Sequence, residues 1–266
     1  TPSGIAMTPC LRSGYEEITV SHFGSYSDDF YVNMHLNTEM ELPSNRDAVL
    51  HFFEQLQKYY PTMRNFYGRE RGEYVLEEDK DLGYYRWATV EPKRVSSGYV
   101  NPAELQVAID QCLNILDLVP HTLSMSPLDC ESLNIMYGFD YTYRGNQNEV
   151  VAETLGLPPA FAKLNELPEA SLLCQEPNVQ FSLDSDCRTQ VRIGVETRTT
   201  AYHIRNGEFP EEQLSVYLTV RRYGSLDPGE TYVSAMQQLA ETCQSLMESY
   251  LIENILLPLK QRISIQ

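Results

Sequence analysis

The residues best equipped for chemistry stand at alternate positions of strands that the sequence predicts. They offer amides, an imidazole, a carboxylate, guanidinium groups and a phenol: Asn33, His35, Asn134, Asp140, Arg192, Tyr217 and Arg221. If helices cover one side of the sheet, these side chains share the other side. Cations beside an aromatic ring suit an anionic or planar ligand. We therefore predict these seven residues as ligand-binding.

A polar sheet side also has an ordinary explanation. Antiparallel sheets often present one side to water without binding anything there. The eighteen tyrosines of the chain favour a binding surface instead, because amphipathic aromatic side chains are enriched at interfaces and in pockets.

The sequence contains none of the motifs that mark common catalytic or metal centres. Its five histidines lack the spacing of metal ligands, and no pair of cysteines forms C-x-x-C. It has no glycine-rich phosphate loop and no G-x-S-x-G turn. We predict no metal, no cofactor and no recognisable catalytic residue. A hydrolase or transferase assembled across the chain stays open, with His35 as base and Arg192 or Arg221 as anion holder.

The six cysteines are scattered along the chain and do not resemble a disulfide framework. Cys112 and Cys243 fall within predicted helices. We expect both to be buried free thiols, since an unpaired cysteine usually behaves as a small apolar residue.

The charge of the chain limits its partners. Twenty Lys and Arg residues against 37 Asp and Glu residues leave a net charge of −17. Such a surface repels nucleic acid and anionic membranes. No apolar run approaches the roughly 20 residues that span a bilayer, and the first residues show no signal-peptide pattern. We expect a soluble cytoplasmic protein.

The elements that must position these residues follow from hydrophobic periodicity. In the first half, residues 30–42 alternate as a strand, and a helix follows from an N-cap at Ser44 to about Tyr60. Two further strands are predicted near 65–76 and 83–94. Asn101, Pro102 and Glu104 predict the start of a helix that runs to about Leu118.

The second half shows a similar order of elements. Residues 133–143 alternate as a strand, and a short helix at 146–155 ends at Gly156. A proline-rich stretch follows, and then strands at 187–200 and 213–223. Asp227 and Glu230 predict the start of a long amphipathic helix that ends near Leu257.

Short matches between the halves predict a duplication. Gly-Tyr-Val-Asn-Pro-Ala-Glu at 98–104 resembles Gly-Ser-Leu-Asp-Pro-Gly-Glu at 224–230, and residues such as Asn33 and Asn134 agree at an offset of 101. We predict an α+β fold of internally duplicated β-α-β-β-α units, with a mainly antiparallel sheet and helices packed on one face. The predicted organisation is an N-terminal extension 1–28, a first unit 29–125, and a second unit 126–266 with an insertion at 157–178.

In layout, a duplicated β-α-β-β unit is similar to the effector-binding modules of the GyrI-like and SOUL haem-binding type. The resemblance rests on the order of elements. It implies a small molecule held between two halves, and it implies no haem here because no histidine is singled out as an axial ligand.

Three functions follow from these observations. The first is a non-catalytic small-molecule-binding or interaction protein that uses the groove between the two pseudo-repeats. The second is the hydrolase or transferase described above. The third is a structural or assembly protein, a homodimer joined through the C-terminal helix at the apolar residues 255–257.

Overall fold

Nine strands form one antiparallel sheet in the computed structural model, which describes residues 23–43, 46–69 and 72–265. The strands are β1 Asp29–Thr38, β2 Asn65–Arg69, β3 Glu73–Glu77, β4 Tyr85–Glu91, β5 Arg94–Val100, β6 Cys130–Arg144, β7 Asn178–Ser182, β8 Thr189–Glu196 and β9 Glu211–Tyr223.

Seven α-helices accompany these strands within the described ranges. They are α1 Arg46–Tyr59, α2 Leu105–Thr122, α3 Gln147–Leu155, α4 Pro159–Ala162, α5 Ala201–Asn206, α6 Tyr232–Leu246 and α7 Leu257–Ser264, with a π-helical segment Met247–Leu256 between the last two. Within these ranges, no helix combines the length and the apolar character that crossing a bilayer requires.

Strands β1 and β6, the first strand of each half, lie side by side at the centre of the sheet. The order across the sheet is β2-β3-β4-β5-β1-β6-β9-β8-β7, and every neighbouring pair is antiparallel. Outward from the centre, the first half runs β1, β5, β4, β3 and β2, and the second half runs β6, β9, β8 and β7. The first strand of each half therefore lies beside the first strand of the other.

One side of the sheet carries the core. In β1 every second residue is buried, from Phe30 to Leu36, and these side chains face the helices. Helix α2 packs on β1 and β5, and α6 packs on β6 and β9. Cys112 and Cys243 are buried in this layer as free thiols. The predictions of an α+β class and a mainly antiparallel sheet are confirmed, and α2 and α6 lie on the same side of that sheet.

Several predicted elements have the right type but the wrong extent. The predicted strand 65–76 is a hairpin of β2 and β3, with Gly72 at a φ of +78° where the chain reverses. The predicted strand 83–94 ends at Glu91, and Pro92 and Lys93 form the turn into β5. The predicted insertion contains the short helix α4, and its last residue begins β7.

The predicted helix starts at Asn101 and Asp227 are wrong. Asn101 has a φ of +49° and accepts a hydrogen bond from the Phe30 amide at 2.9 Å, so it ties a loop to β1. Helix α2 begins four residues later. Asp227 forms an ion pair with Arg222 at 2.9 Å, and Thr231 caps α6 instead.

The paired motifs at 98–104 and 224–230 occupy different places in the structure. Gly98 lies inside β5, whereas Gly224 follows the end of β9 with a φ of +84°. This match therefore carries no weight for the duplication. Both the duplication and the predicted domain boundaries stay predictions. Residues 1–22 of the extension and the predicted N-cap Ser44 lie outside the described ranges.

The C-terminal helix runs further than predicted. Pro258 does not end it, because the π-helical segment Met247–Leu256 leads directly into α7, whose first turn contains the proline. The π-helical segment before it was not foreseen. Leu256, which the sequence suggested as part of a dimer seam, is fully buried in the core.

Two glycines in the middle of strands lie under aromatic rings on the side opposite the helices. A Cβ added at Gly138 would lie 2.2 Å from the Tyr31 ring, and one at Gly98 would lie 2.4 Å from the Trp87 indole. Any side chain at these positions would displace the rings. The two glycines therefore allow Tyr31 and Trp87 to lie flat on the sheet.

We expect Gly138→Ala to destabilise the protein by about 1–3 kcal/mol, the usual cost of overpacking a tight contact. The Tyr31 ring cannot easily move aside, because its hydroxyl donates a hydrogen bond to Asp140. Urea unfolding measures the free-energy change.

Gly194→Ala is the matched control, because Gly194 lies in β8 and its nearest contact, Arg192 Nε, is 4.0 Å away. We expect a change within about 1 kcal/mol there. In a Tyr31→Ala background the Gly138→Ala penalty should largely disappear. Equal effects at the two glycines would contradict this account.

Candidate functional site

The sheet side opposite α2 and α6, called the open face below, contains two hollows. The Arg192 hollow has a volume of about 570 Å³ and lies over the central strands and β8. The His35 hollow has a volume of about 310 Å³ and lies over β1, β5, β4 and β3. Strand alternation places their lining side chains on the open face, because the odd-numbered residues of β1 point away from the helices.

The Arg192 hollow combines aromatic, polar and charged groups. Register alignment puts Tyr31, Gly138 and Tyr217 in one row across three strands, and Asn33, Met136, Thr219 and Arg192 in the next row. The full lining consists of Tyr31, Asn33, Met136, Glu176, Asn178, Arg192, Gly194, Val195, Glu196, Tyr217 and Thr219.

Arg192 is the cation of this hollow and is exposed. Its Nε donates a hydrogen bond to Asn178 Oδ1 at 3.0 Å. Within the described ranges, no carboxylate forms an ion pair with it. The planar end of the guanidinium is therefore available to a ligand, and two parallel N–H groups match a carboxylate or a phosphate.

Two carboxylates also line the Arg192 hollow, and both have local partners. Glu196 pairs with Arg198 at 3.5 Å, and Glu176 accepts hydrogen bonds from the Thr197 amide at 2.9 Å and its hydroxyl at 3.1 Å. These contacts engage both carboxylates locally, and within the described ranges neither carboxylate forms an ion pair with Arg192.

A buried carboxyl group lies at one end of this hollow. Tyr31 donates a hydrogen bond from its hydroxyl to Asp140 Oδ1 at 3.3 Å. Burial raises the pKa of Asp140 above its ordinary value, although Tyr31 and Ser215 act in the opposite direction. Burial, with Asp140 and Tyr217 nearby, also raises the pKa of Tyr31. Tyr31 is thus held in place as a neutral phenol.

His35 lies in the second hollow and is kept neutral. Its Nδ1 is 2.8 Å from Ser96 Oγ, on the neighbouring strand β5. Burial, together with the positive charges of Arg94 and Arg221, lowers the pKa of His35 to about 4. An imidazole with this pKa is a weak base.

The other charges of the His35 hollow compensate one another. Arg69 pairs with Glu73, Lys80 with Glu77, and Arg94 with Glu91, at distances of 2.7–2.9 Å. This hollow therefore offers no free cation among its described lining residues, in contrast to the Arg192 hollow.

The structure brings together only part of the predicted ligand-binding set. Asn33, Arg192 and Tyr217 line the Arg192 hollow, and Asp140 lies behind it against Tyr31. His35 lines the other hollow. Asn134 is 1% exposed and lines neither hollow. In the register it lies between His35 and Arg221.

Arg221 does not line the Arg192 hollow. It turns towards Tyr223, to whose hydroxyl it donates a hydrogen bond from Nη1 at 3.1 Å, and its charge acts on His35. Arg192 and Arg221, which both belong to the predicted ligand-binding set, therefore do not line the same hollow.

Sequence reasoning missed Tyr31, Trp87, Ser96 and Met136. The signal for the two aromatic residues was present, since an isolated glycine inside a strand pattern often marks a close approach. Gly98 and Gly138 were such glycines. No signal in the sequence indicates that Ser96 lies opposite His35, because strand pairing decides that.

The contacts of His35 bear on the hydrolase or transferase alternative. Its ring nitrogen bonds to a serine hydroxyl, and within the described ranges no carboxylate bonds to the ring to strengthen it as a base. In the same ranges, no three His, Cys, Asp or Glu side chains cluster as a metal site would require.

Comparison with known proteins adds no relative. The chain matches no protein-family model, and no curated protein is detectably similar to it. Its function must therefore be inferred from the open face itself.

We expect His35 to make stability depend on pH between about 4 and 6.5. In this window His35 binds a proton in the unfolded chain but not in the folded protein. Stability therefore falls as the pH is lowered. The shift from 6.5 to about 4 corresponds to at most about 3 kcal/mol. His35→Gln should remove most of that dependence in urea unfolding at several pH values. His51→Gln, at an exposed position of α1, should leave it unchanged.

The carboxyl group of Asp140 should make stability fall as the pH rises, the opposite of the effect of His35, and Asp140→Asn tests this. Because the folded-state pKa of Asp140 is raised, its ionisation weakens the fold as the pH rises above 3.8. The neutral amide keeps an acceptor for Tyr31, so the variant should gain stability relative to the natural protein at pH 7 but not at pH 3. Asp117→Asn, at an exposed position of α2, is the control. An equal change at both pH values would show that the carboxyl group does not titrate abnormally.

Proposed function

We propose that the protein binds a small planar ligand carrying an anionic group, without catalysing its conversion, in the Arg192 hollow. The observation that carries the proposal is the free planar end of Arg192 in a chain where acids outnumber bases by 37 to 20. Other exposed arginines, such as Arg64, also lack a carboxylate partner, but Arg192 lines a hollow that also contains Tyr31 and Tyr217.

The aromatic groups of the hollow support a planar ligand. Tyr31 lies flat over Gly138, and Tyr217 lies on the other side of the same glycine in the register. Flat aromatic surfaces favour offset contact with another ring. Arg192 stands one row away on the neighbouring strand from Tyr217, so a ring and its acidic substituent can be held together.

Polar groups around the hollow would orient the ligand. The Asn33 side chain lines the hollow and carries an amide, which can donate and accept hydrogen bonds. The Thr219 side chain stands between Met136 and Arg192 in the same row. The volume of about 570 Å³ falls within the range of small-molecule sites.

The place of the hollow supports the idea of two pseudo-repeats with a groove between them. It crosses β1 and β6, the first strand of each half, and strand order runs outward from this pair in a similar way on both sides. An ancestral duplication would explain that order. The proposal for Arg192 does not require it.

We expect benzoate to bind and to raise the melting temperature, with an affinity in the millimolar range for so small a probe. Benzamide lacks the charge and cyclohexanecarboxylate lacks the flat ring, so both should bind several-fold more weakly. Calorimetric or NMR titration measures the three affinities. Arg192→Gln should weaken benzoate binding about tenfold or more, since it removes a charge-assisted pair of hydrogen bonds.

Arg64→Gln is the matched control, because Arg64 is exposed and its Nε bonds only a local backbone carbonyl, that of Pro61. It should leave benzoate binding unchanged. The proposal fails if benzamide and benzoate bind equally, or if Arg192→Gln and Arg64→Gln have the same effect.

A further inference from the structure

Strand β7 forms an exposed edge of the sheet. Within the described ranges no strand pairs with its outer side, and all five of its residues are exposed. Free strand edges present unpaired amide and carbonyl groups to any chain that can align with them.

The hydrogen bonds that flank β7 identify which groups point outward. Leu183 N donates to Thr189 O at 2.8 Å, and Val195 N donates to Pro177 O at 2.9 Å. In an antiparallel ladder such pairs alternate, so the odd-numbered residues of this segment bond to β8. The amide and carbonyl groups of Asn178, Gln180 and Ser182 therefore face the free edge.

The same strand exposes apolar side chains on the helix side of the sheet. Val179, Phe181 and Leu183 are 48%, 63% and 41% exposed. They border a groove of about 750 Å³, whose other wall includes Tyr250 and Ile255 of the π-helical segment. The edge and the groove are thus one continuous surface.

This surface lacks the charged side chains that often protect an edge. Residues 177–183 contain no charged side chain in a protein of net charge −17. The other sheet edge among the described residues, β2, is flanked by Arg64 and ends at Arg69. Charged residues on an edge discourage pairing, so β2 is protected and β7 is not.

We propose that β7 is the interface of a homodimer, in which two copies pair their β7 strands antiparallel across a two-fold axis at Gln180. With this register Asn178 pairs with Ser182 of the second copy, and all the outward groups of both strands find partners. On the helix side, Val179 of each copy lies opposite Phe181 of the other, a favourable cross-strand pair. The two apolar grooves become one covered layer.

The response to salt distinguishes a second copy from a foreign basic segment as the occupant of this edge. Two chains of net charge −17 repel each other, and an uncharged stretch is where they can approach most closely. The register also places Glu176 opposite Asp184 of the second copy at each end. Added salt should therefore strengthen self-association, whereas salt weakens the binding of a basic peptide.

Sedimentation velocity over about a hundredfold range of protein concentration tests the proposal. We expect a shift from the monomer mass of 30.5 kDa to twice that value, with tighter association at higher salt. Phe181→Lys should weaken the association about tenfold or more, because it places a charge in the covered layer. Gln180→Pro should do the same, because it removes an outward amide and leaves the ladder to β8 intact.

Phe161→Lys is the matched control. Phe161 is exposed to a similar degree, 58%, but lies on α4 outside the groove. It should leave the association unchanged, and circular dichroism should show all three variants folded. A monomer at every concentration overturns the proposal. So does a dimer that survives both β7 substitutions, which would indicate another seam, or association that salt weakens.

Discussion

The pairing of β1 with β6 is the contact on which the rest of the structure depends. It runs from Asp29 opposite Asp140 to Thr38 opposite Cys130, and it joins the two halves of the chain. Phe30 packs against Phe139 across it with ring centroids 5.1 Å apart. Because side chains alternate along a strand, this one register decides both which residues enter the core and which reach the open face.

The sequence predicted the parts of the fold that depend on local pattern. Alternation in β1 and β6 identified both central strands and the side of each that is buried, and Asn146 and Gly156 marked both ends of α3 correctly. These features are set by residues close in the chain. A strand with one apolar side has only one way to face a core, which is why the polar side could also be named in advance.

What the sequence could not supply depends on distant partners. Asn101 and Asp227 looked like helix caps, yet their side chains bind Phe30 and Arg222, because those contacts compete with capping and are invisible without the fold. The same limit applies to the candidate site. Nothing in the sequence favoured Arg192 over Arg221 as a ligand-binding residue. In the fold, Arg221 bonds to the hydroxyl of Tyr223, whereas among the described residues Arg192 is engaged only through its Nε, by Asn178.

The position of Trp87 gives the molecule a built-in optical probe. Trp87 is the single tryptophan of the chain, and its ring lies on Gly98 beside Asn33, within the lining of the His35 hollow. Its fluorescence emission therefore originates on the open face alone, while the helical layer contributes no indole signal among its described residues. Changes in polarity or quenching at this ring report on the face where the two halves of the chain meet.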